Sequence, residues 1–405
     1  MREMKDSGVI SIGLIPVNWS VRKFKTLAKL CNGREVNVDE GCVPVYGSGG
    51  IFKWTNIPLH SGESLLMGRK GTIDNPMLVK GEFWTVDTMF YTSEFYDIKG
   101  KFLYYCCKGT INYGYYKSGS VLPSMTQMEI NNVFLPYTTS LEQDKIVNVL
   151  DKKCAQIDAL IANQQTQIEK LKAYKQSLIT EVVTKGLGPD VPMKDSGIEW
   201  IGCYPTNWRL SQIGKVVKMG AGGTPNRNIP EYWENGSIPW MSSGEMNNEY
   251  VYDTLEKITK LGMVNSNAKL LPINTVMLAL IGQGKTKGLA AILKTECTCN
   301  QNLAYLIANP YFLHYEYLFY CFKAMYSYIR GIVGESQAGI YQSFLKMQFI
   351  PIPSSSEQIM ISDYLNEKCT AIKHLITKKQ AKIEKLEQYK KSLIYEYVTG
   401  KREVM

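Results

Sequence analysis

Hydrophobic and polar positions fall into two long heptad stretches set among shorter, strand-like alternations. Over Glu142–Thr184, steps of 4, 3, 4, 3 from Leu150 meet Leu150, Cys154, Ile157, Ile161, Gln164, Ile168, Leu171, Lys175, Leu178 and Val182. Eight of these ten are apolar or Cys, the seam of a coiled coil. The stretch holds no Pro or Gly, and its 43 residues predict a helix of roughly 65 Å. A helix of that length needs a partner for its seam. Glu357–Thr399 supplies one: shifted by 215, it is identical at 22 of 43 positions. Its seam runs Leu365, Cys369, Ile372, Ile376, Lys379, Ile383, Leu386, Lys390, Leu393 and Tyr397, with polar breaks at the same two steps. Off-seam residues match too (Glu169/Glu384, Lys170/Lys385, Ser177/Ser392), which marks duplication rather than convergence on a heptad.

A second repeat opens each half. MKDSGVISIGLIPVNW (4–19) and MKDSGIEWIGCYPTNW (193–208) are related by a shift of 189, so the second body is 26 residues longer than the first. The bodies share a layout and little sequence, a repeated frame around unlike filling. Short β-rich runs such as Val43–Tyr46, Ser64–Met67, Phe83–Val86 and Val133–Leu135 alternate with Gly-rich turns. In each body a strand leads into a basic Gly loop, Gly68–Thr72 or Gly282–Gly288. Gly186, Gly188, Pro189 and Pro192 end the first helix.

The expected fold class is α+β: two mixed, mostly β domains separated by two long antiparallel coiled-coil helices, an internal pseudo-two-fold repeat with the termini close together. The expected divisions are 1–140, the helix 141–187, 188–354 with linker and second signature, and 355–405 with the second helix and tail.

Composition narrows the chemistry. The chain is 45% hydrophobic and 20% charged, that of a globular protein. No apolar run suits a membrane span, and no apolar signal core opens the chain, so a cytoplasmic place is expected. Ten Cys without a C-x-x-C pair, and three His, predict reduced thiols and no metal site. A net charge of +9 is compatible with a polyanion partner. Ala279–Thr286 ends Gly-Lys-Thr after a strand. It lacks the first Gly of a phosphate-binding loop, and Lys287-Gly288 opens a helix poorly, so a Gly loop approaching a nucleic-acid phosphate is the better reading. Asn309-Pro310-Tyr311-Phe312 lacks the second Pro of an adenine-methyltransferase loop. No nucleophile–base pair is evident, and catalysis by this chain alone is not expected.

Two unlike basic, Gly-rich, aromatic bodies on a symmetric spacer suggest a reader of two DNA half-sites. Candidate contacts are Lys53, Arg69, Lys70, Lys117, Ser124 and Gln127 in the first body. In the second they are Arg227, Ser242, Ser243, Gln283, Lys285, Lys287, Gln301 and Gln342. A solitary DNA-binding protein and a coiled-coil scaffold are the alternatives, with a P-loop enzyme a weaker third.

The chain resembles the specificity subunits of Type I restriction–modification enzymes along essentially its whole length. The resemblance rests on Pro16-Val-Asn-Trp19 and Pro205-Thr-Asn-Trp208, and on Glu-Gln opening a helix that ends like Ile168–Thr184 and Ile383–Thr399. It rests also on Pro44–Gly50 and Ile238–Glu245, which look like openings of target recognition domains. It implies a non-catalytic chain whose two bodies each read one half of a bipartite, gapped site in double-stranded DNA. The helices would set the gap and dock two modification (methyltransferase) subunits. Those carry S-adenosylmethionine and methylate adenine N6; restriction subunits add cleavage with ATP and Mg.

Overall fold

A computed structural model describes residues 2–36, 41–117, 122–188, 190–282, 285–333 and 339–404. The side chains of Lys117 and Val333 lie outside that description. The two heptad stretches form single helices, Ser140–Lys185 and Ser355–Val398. The chain divides into two compact units, Met1–Thr166 with Lys379–Met405, and Gln167–Lys378, so each unit takes part of each long helix.

In the first unit a six-stranded sheet runs in the order Ala28–Asn32, Met89–Phe95, His60–Gly68, Met77–Thr85, Val43–Gly47, Gly50–Thr55. Its neighbours are antiparallel except Val43–Gly47 against Met77–Thr85. The core joins Phe24, Leu65, Phe90, Phe102 and Cys106 to Ile146, Leu150, Cys154 and Ile157 of the first long helix and to Leu393, Ile394, Tyr397 and Val398 of the second. The early part of one helix thus lies against the late part of the other, antiparallel, as Asp158 with Lys390 (2.6 Å) and Gln164 with Lys379 (3.5 Å) also show. The polar breaks Gln164 and Lys379 therefore meet each other. The first and last described turns meet here too, with Arg2 Nε 3.9 Å from the Glu403 carboxylate.

In the second unit a five-stranded sheet runs Val217–Ala221, Leu303–Ala308, Val276–Ala279, Ala290–Leu293, Tyr250–Val251. Beside it is a three-stranded sheet, Glu256–Ile258, Ile238–Met241, Thr298–Cys299. The core packs Tyr317, Phe319 and Phe322 on Leu178, Ile179, Val182 and Val183 of the first long helix and on Ile361, Leu365, Cys369 and Ile372 of the second. Ile161, Leu171, Ile376 and Leu386 are half-buried along the seams, while Ile168 and Ile383 are buried. Each helix also buries a second stripe, its early part in one core and its late part in the other: Ile146 and Ile361, Ile179 and Ile394, Val183 and Val398 are identical pairs at the shift of 215.

The repeated signatures are hairpins, Met4–Asp6 with Leu14–Pro16 and Met193–Asp195 with Cys203–Pro205. Each leads into a strand that pairs with the one closing its body: Ser20–Lys23 with Phe134–Tyr137, and Arg209–Gln212 with Phe349–Ile352. Each signature ends on a buried Trp whose indole N–H donates to the Glu that opens a long helix, Trp19 to Glu142 (2.8 Å) and Trp208 to Glu357 (3.3 Å). The adjacent Gln holds the body. Gln143 accepts from the Lys99 N–H (2.9 Å) at the start of helix Gly100–Thr110 and donates to the Thr138 carbonyl (2.8 Å). Gln358 accepts from the His314 N–H (2.7 Å), opening helix Tyr315–Ala324, and donates to the Phe312 (2.9 Å) and Pro353 (3.0 Å) carbonyls. The far end of each helix stops at a left-handed glycine, Gly186 (φ 78°) or Gly400 (φ 69°), lying against a signature. A Cβ on Gly186 would stand 3.0 Å from the Trp208 ring and one on Gly400 2.5 Å from Pro16, so both positions demand glycine. Among the described residues, no helix is long and apolar enough to cross a membrane.

Gln143→Ala leaves two backbone groups unpaired and Gln358→Ala three. Each orphaned group costs about 1–3 kcal/mol. Both variants melt lower than the parent, Gln358→Ala by more; equal or absent shifts in thermal melts would show that the Gln brackets do not hold the bodies.

Candidate nucleic-acid interface

The basic Gly loop occupies the same place in both bodies, joining two antiparallel strands of the main sheet. In the first body it follows His60–Gly68 and leads to Met77–Thr85; in the second it follows Val276–Ala279 and leads to Ala290–Leu293. No helix follows Thr286, so Gly-Lys-Thr here is a hairpin loop and not the start of a phosphate-binding helix.

Each loop is backed by the segment before a short helix. In the first body Met125 N–H donates to the Arg69 carbonyl (2.9 Å), Gly71 N–H donates to Pro123 (2.9 Å), and Lys70 bridges Ser124. The helix Gln127–Asn132 follows, capped by Thr126 with Glu129. In the second body Ile340 N–H donates to the Leu280 carbonyl (2.9 Å), and helix Gln342–Met347 follows. In both bodies the donor lies two residues before the helix and the acceptor one residue after the strand. Side chains at this shared knuckle differ between the bodies.

Exposed Arg69, Lys70 and Ser124 come together on the first knuckle. Arg69 Nη1 lies 3.4 Å from the Asp87 carbonyl, to which it donates. Gln127 is nearby but occupied: it donates to the Leu30 carbonyl (2.7 Å) and accepts from Asn32 (3.4 Å), fastening strand Ala28–Asn32. Lys53 is half-buried on the neighbouring strand Gly50–Thr55, and Lys117 ends the turn Tyr113–Lys117.

In the second body Lys285 is exposed, Lys287 is buried and Gln283 lies outside the described residues. The loop is pinned to helix Tyr326–Val333 by Tyr326 Oη on the Lys285 carbonyl (2.7 Å) and Arg330 Nη1 on the Lys287 carbonyl (3.1 Å). Gln342 opens the backing helix. Arg227, Ser242 and Gln301 belong to other contacts, and Ser243 begins a 3-10 turn. Arg227 grips the Glu256 carboxylate with two nitrogens (Nη2–Oε2 2.9 Å) and lies 3.8 Å from the centroid of Trp233 and 4.9 Å from that of Trp240. The hydrogen bond from Arg227 lowers the Glu256 carboxyl, and the same bond raises the guanidinium. Ser242 caps the turn Ser243–Asn247 with Glu245, and Gln301 accepts from the Thr224 hydroxyl.

Glu249 has no motif around it in the sequence. It stands between Lys323 and Lys175, the latter a polar break in the seam (3.3 Å). Burial raises its carboxyl, but the two ammonium groups prevail and bring it down to about 2. Burial lowers the Lys323 ammonium, with Glu249 opposing. Lys390, the matching break in the second helix, pairs instead with Asp158 (2.6 Å). Only the repeat of Lys175 and Lys390 could have pointed here, and it does not name the partner.

A model of the family described as "Type I restriction modification DNA specificity domain" matches residues 205–385. The chain is similar to the Type I restriction enzyme EcoR124I/EcoR124II specificity subunit of Escherichia coli, 28% identical over 229 residues, 56% of this chain and 51% of that protein. It thus spans about half the length of that relative. It is also similar to the MjaVIII specificity subunit of Methanocaldococcus jannaschii, 24% identical over 361 residues, 84% of this chain and 76% of that protein. A solved chain from work on complex assembly and conformational transition of the type I R-M system shares the fold, with a TM-score of 0.71 at 15% identity over 96% of this chain and 99% of that one.

A carboxyl held low in the folded state contributes stability above its unfolded pKa, about 4.3, and that stability is lost as pH falls toward the folded value. Thermal melts of the parent should therefore decline between pH about 4.5 and about 2. Glu249→Gln flattens that decline; the same slope in parent and variant would rule out the Lys–Glu–Lys cluster as its source.

Proposed function

Because this chain belongs to the family of Type I restriction–modification specificity subunits, we propose that each body is a target recognition domain reading one half of a bipartite, gapped DNA site. In this reading the long helices set the gap and dock two modification subunits. Catalysis stays with the partners: S-adenosylmethionine and adenine-N6 transfer in the modification subunits, ATP and Mg in restriction subunits where these join. The work is done in the cytoplasm, where the target is.

The observation that carries the reading is the shared knuckle. One backbone arrangement is built twice on one Trp–Glu and Gln bracket, but presents Arg69, Lys70 and Ser124 in one body and Lys285 in the other. A fixed mount with exchangeable side chains suits two unlike half-sites: basic groups on Gly loops hold phosphates while neighbouring side chains meet base edges. The helices also carry a repeated outward stripe. Leu160 and Tyr174 on the first, and Leu375 and Tyr389 on the second, are each about half exposed and identical at the shift of 215, apolar places for partner helices.

Co-expression with a modification subunit in a methylation-free host, followed by sequencing for N6-methyladenine, should return a split motif of two short unlike halves around a fixed gap. No modified adenine, with both proteins soluble and associated, would sink the reading in favour of a solitary binder or a scaffold. Four residues inserted into each helix lengthen it by ~6 Å. The gap should widen by one or two base pairs with both halves intact; an unaltered gap removes the spacer role. Arg69→Ala and Lys285→Ala should each weaken DNA binding and reduce its salt slope by about one. Unchanged affinity and slope would take those loops off the DNA.

A further inference from the structure

The first body carries an apolar edge that its core does not use. The last two strands of its sheet, Val43–Gly47 and Gly50–Thr55, form a ribbon whose strand pairing with the rest of the sheet is Val45 with Trp84 and Tyr46 with Thr85. Among the described residues its outer strand pairs with no further strand, yet it bears Ile51, Phe52 and Trp54, with Ile57 just beyond, all about half exposed. Two residues of Gly50–Thr55 oppose one step of Val43–Gly47 between Val45 and Tyr46, which leaves Phe52 as the extra residue of a bulge; Phe52 and Trp54 are 54% and 46% exposed. An uncovered apolar edge strand marks a contact surface.

Its surroundings say what covers it. A Cβ on Gly47 would stand 3.2 Å from two carbons of the Phe52 ring, so this ring lies at the turn of the ribbon. A Cβ on Gly71 would stand 3.2 Å from the Ser48 hydroxyl of the same turn, so the turn abuts the loop bearing Arg69 and Lys70. Apolar edge and basic loop are therefore continuous, a surface complementary to a duplex with anionic backbone and partly apolar base edges. A two-stranded β-ribbon fits the major groove, where the thymine methyl is the apolar group presented. The second body builds this edge differently, with its exposed apolar side chains Tyr252 and Leu255 just before the strand. There the strand in the same place, Glu256–Ile258, spends Glu256 on Arg227 and buries Ile258, and Trp240 lies inside with its N–H on the Gly223 carbonyl (3.0 Å).

We propose that the ribbon Val43–Thr55 enters the major groove of the first half-site and that Phe52 and Trp54 are specificity-determining residues there, packing on thymine methyl groups. This rests on the first body being a DNA reader.

The test uses the full chain with its modification subunit, as parent, Phe52→Ala and Trp54→Ala. Mapped N6-methyladenine should show one or two positions of the first half relaxed, with the second half and the gap unchanged. Duplex with deoxyuridine for thymine throughout the first half should bind the parent several-fold more weakly, at about fourfold per methyl lost. The variants should be insensitive to that replacement and, unlike Arg69→Ala, should keep the parent salt slope. An unchanged motif and affinity in both variants overturns the assignment. So does weaker association with the modification subunit while the first half stays intact, which would make the edge a protein contact. A parent with a split motif but untouched variants fails this inference alone; a parent with no split motif fails the underlying reading as well.

Discussion

The bond from a buried indole to the first carboxylate of a long helix is the constraint on which the rest depends. Trp19 on Glu142 and Trp208 on Glu357 tie each signature to a helix start, and the next residue, Gln143 or Gln358, ties the same start to a helix of the body. Two adjacent side chains thus fix two separate elements. Buried and charge-assisted, the contact tolerates little displacement. Everything the bodies present outward, including the loops at residues 68–72 and 282–288, is carried on that frame, and so can vary without moving it.

The long helices and the repeat were legible because both are written in spacing. The seam predicted helices over 142–184 and 357–399, and they run Ser140–Lys185 and Ser355–Val398. Two strand-like runs fell within one or two residues of the strands Val43–Gly47 and Phe134–Tyr137, while Ser64–Met67 and Phe83–Val86 caught only the later parts of the longer strands His60–Gly68 and Met77–Thr85. Partner choice was not legible. Trp19 and Glu142 are 123 residues apart, and no local pattern joins them. Arg227 in a Gly-, Pro- and Asn-rich loop has the look of a phosphate contact, but Glu256 and two tryptophans hold it. Gln127 likewise turns inward to Leu30. Residue type shows what a side chain can bind; only the fold shows what it already has.

Duplication has not kept the two copies in step. Lys175 and Lys390 are the same residue at the same seam position, yet one takes Glu249 from a body and the other Asp158 from the opposing helix. The counterpart of Asp158 at the shift of 215 is Lys373, which would repel Lys175. Recruiting Glu249 from the second body relieves that conflict and fastens that body to the helix.

The composition of the units sets an order on how the chain acquires its structure at the ribosome. The second unit is one continuous segment, Gln167–Lys378, and every residue it needs has been made by its end. The first unit is split, and its helix residues 140–166 must wait for Lys379 onward, with Leu150, Cys154 and Ile157 lacking until then the part of their cover that Leu393, Ile394, Tyr397 and Val398 supply. Synthesis from the N-terminus therefore leaves the earlier-made body to be completed last, with an open apolar stripe during the interval, a state in which nascent chains are prone to stray association.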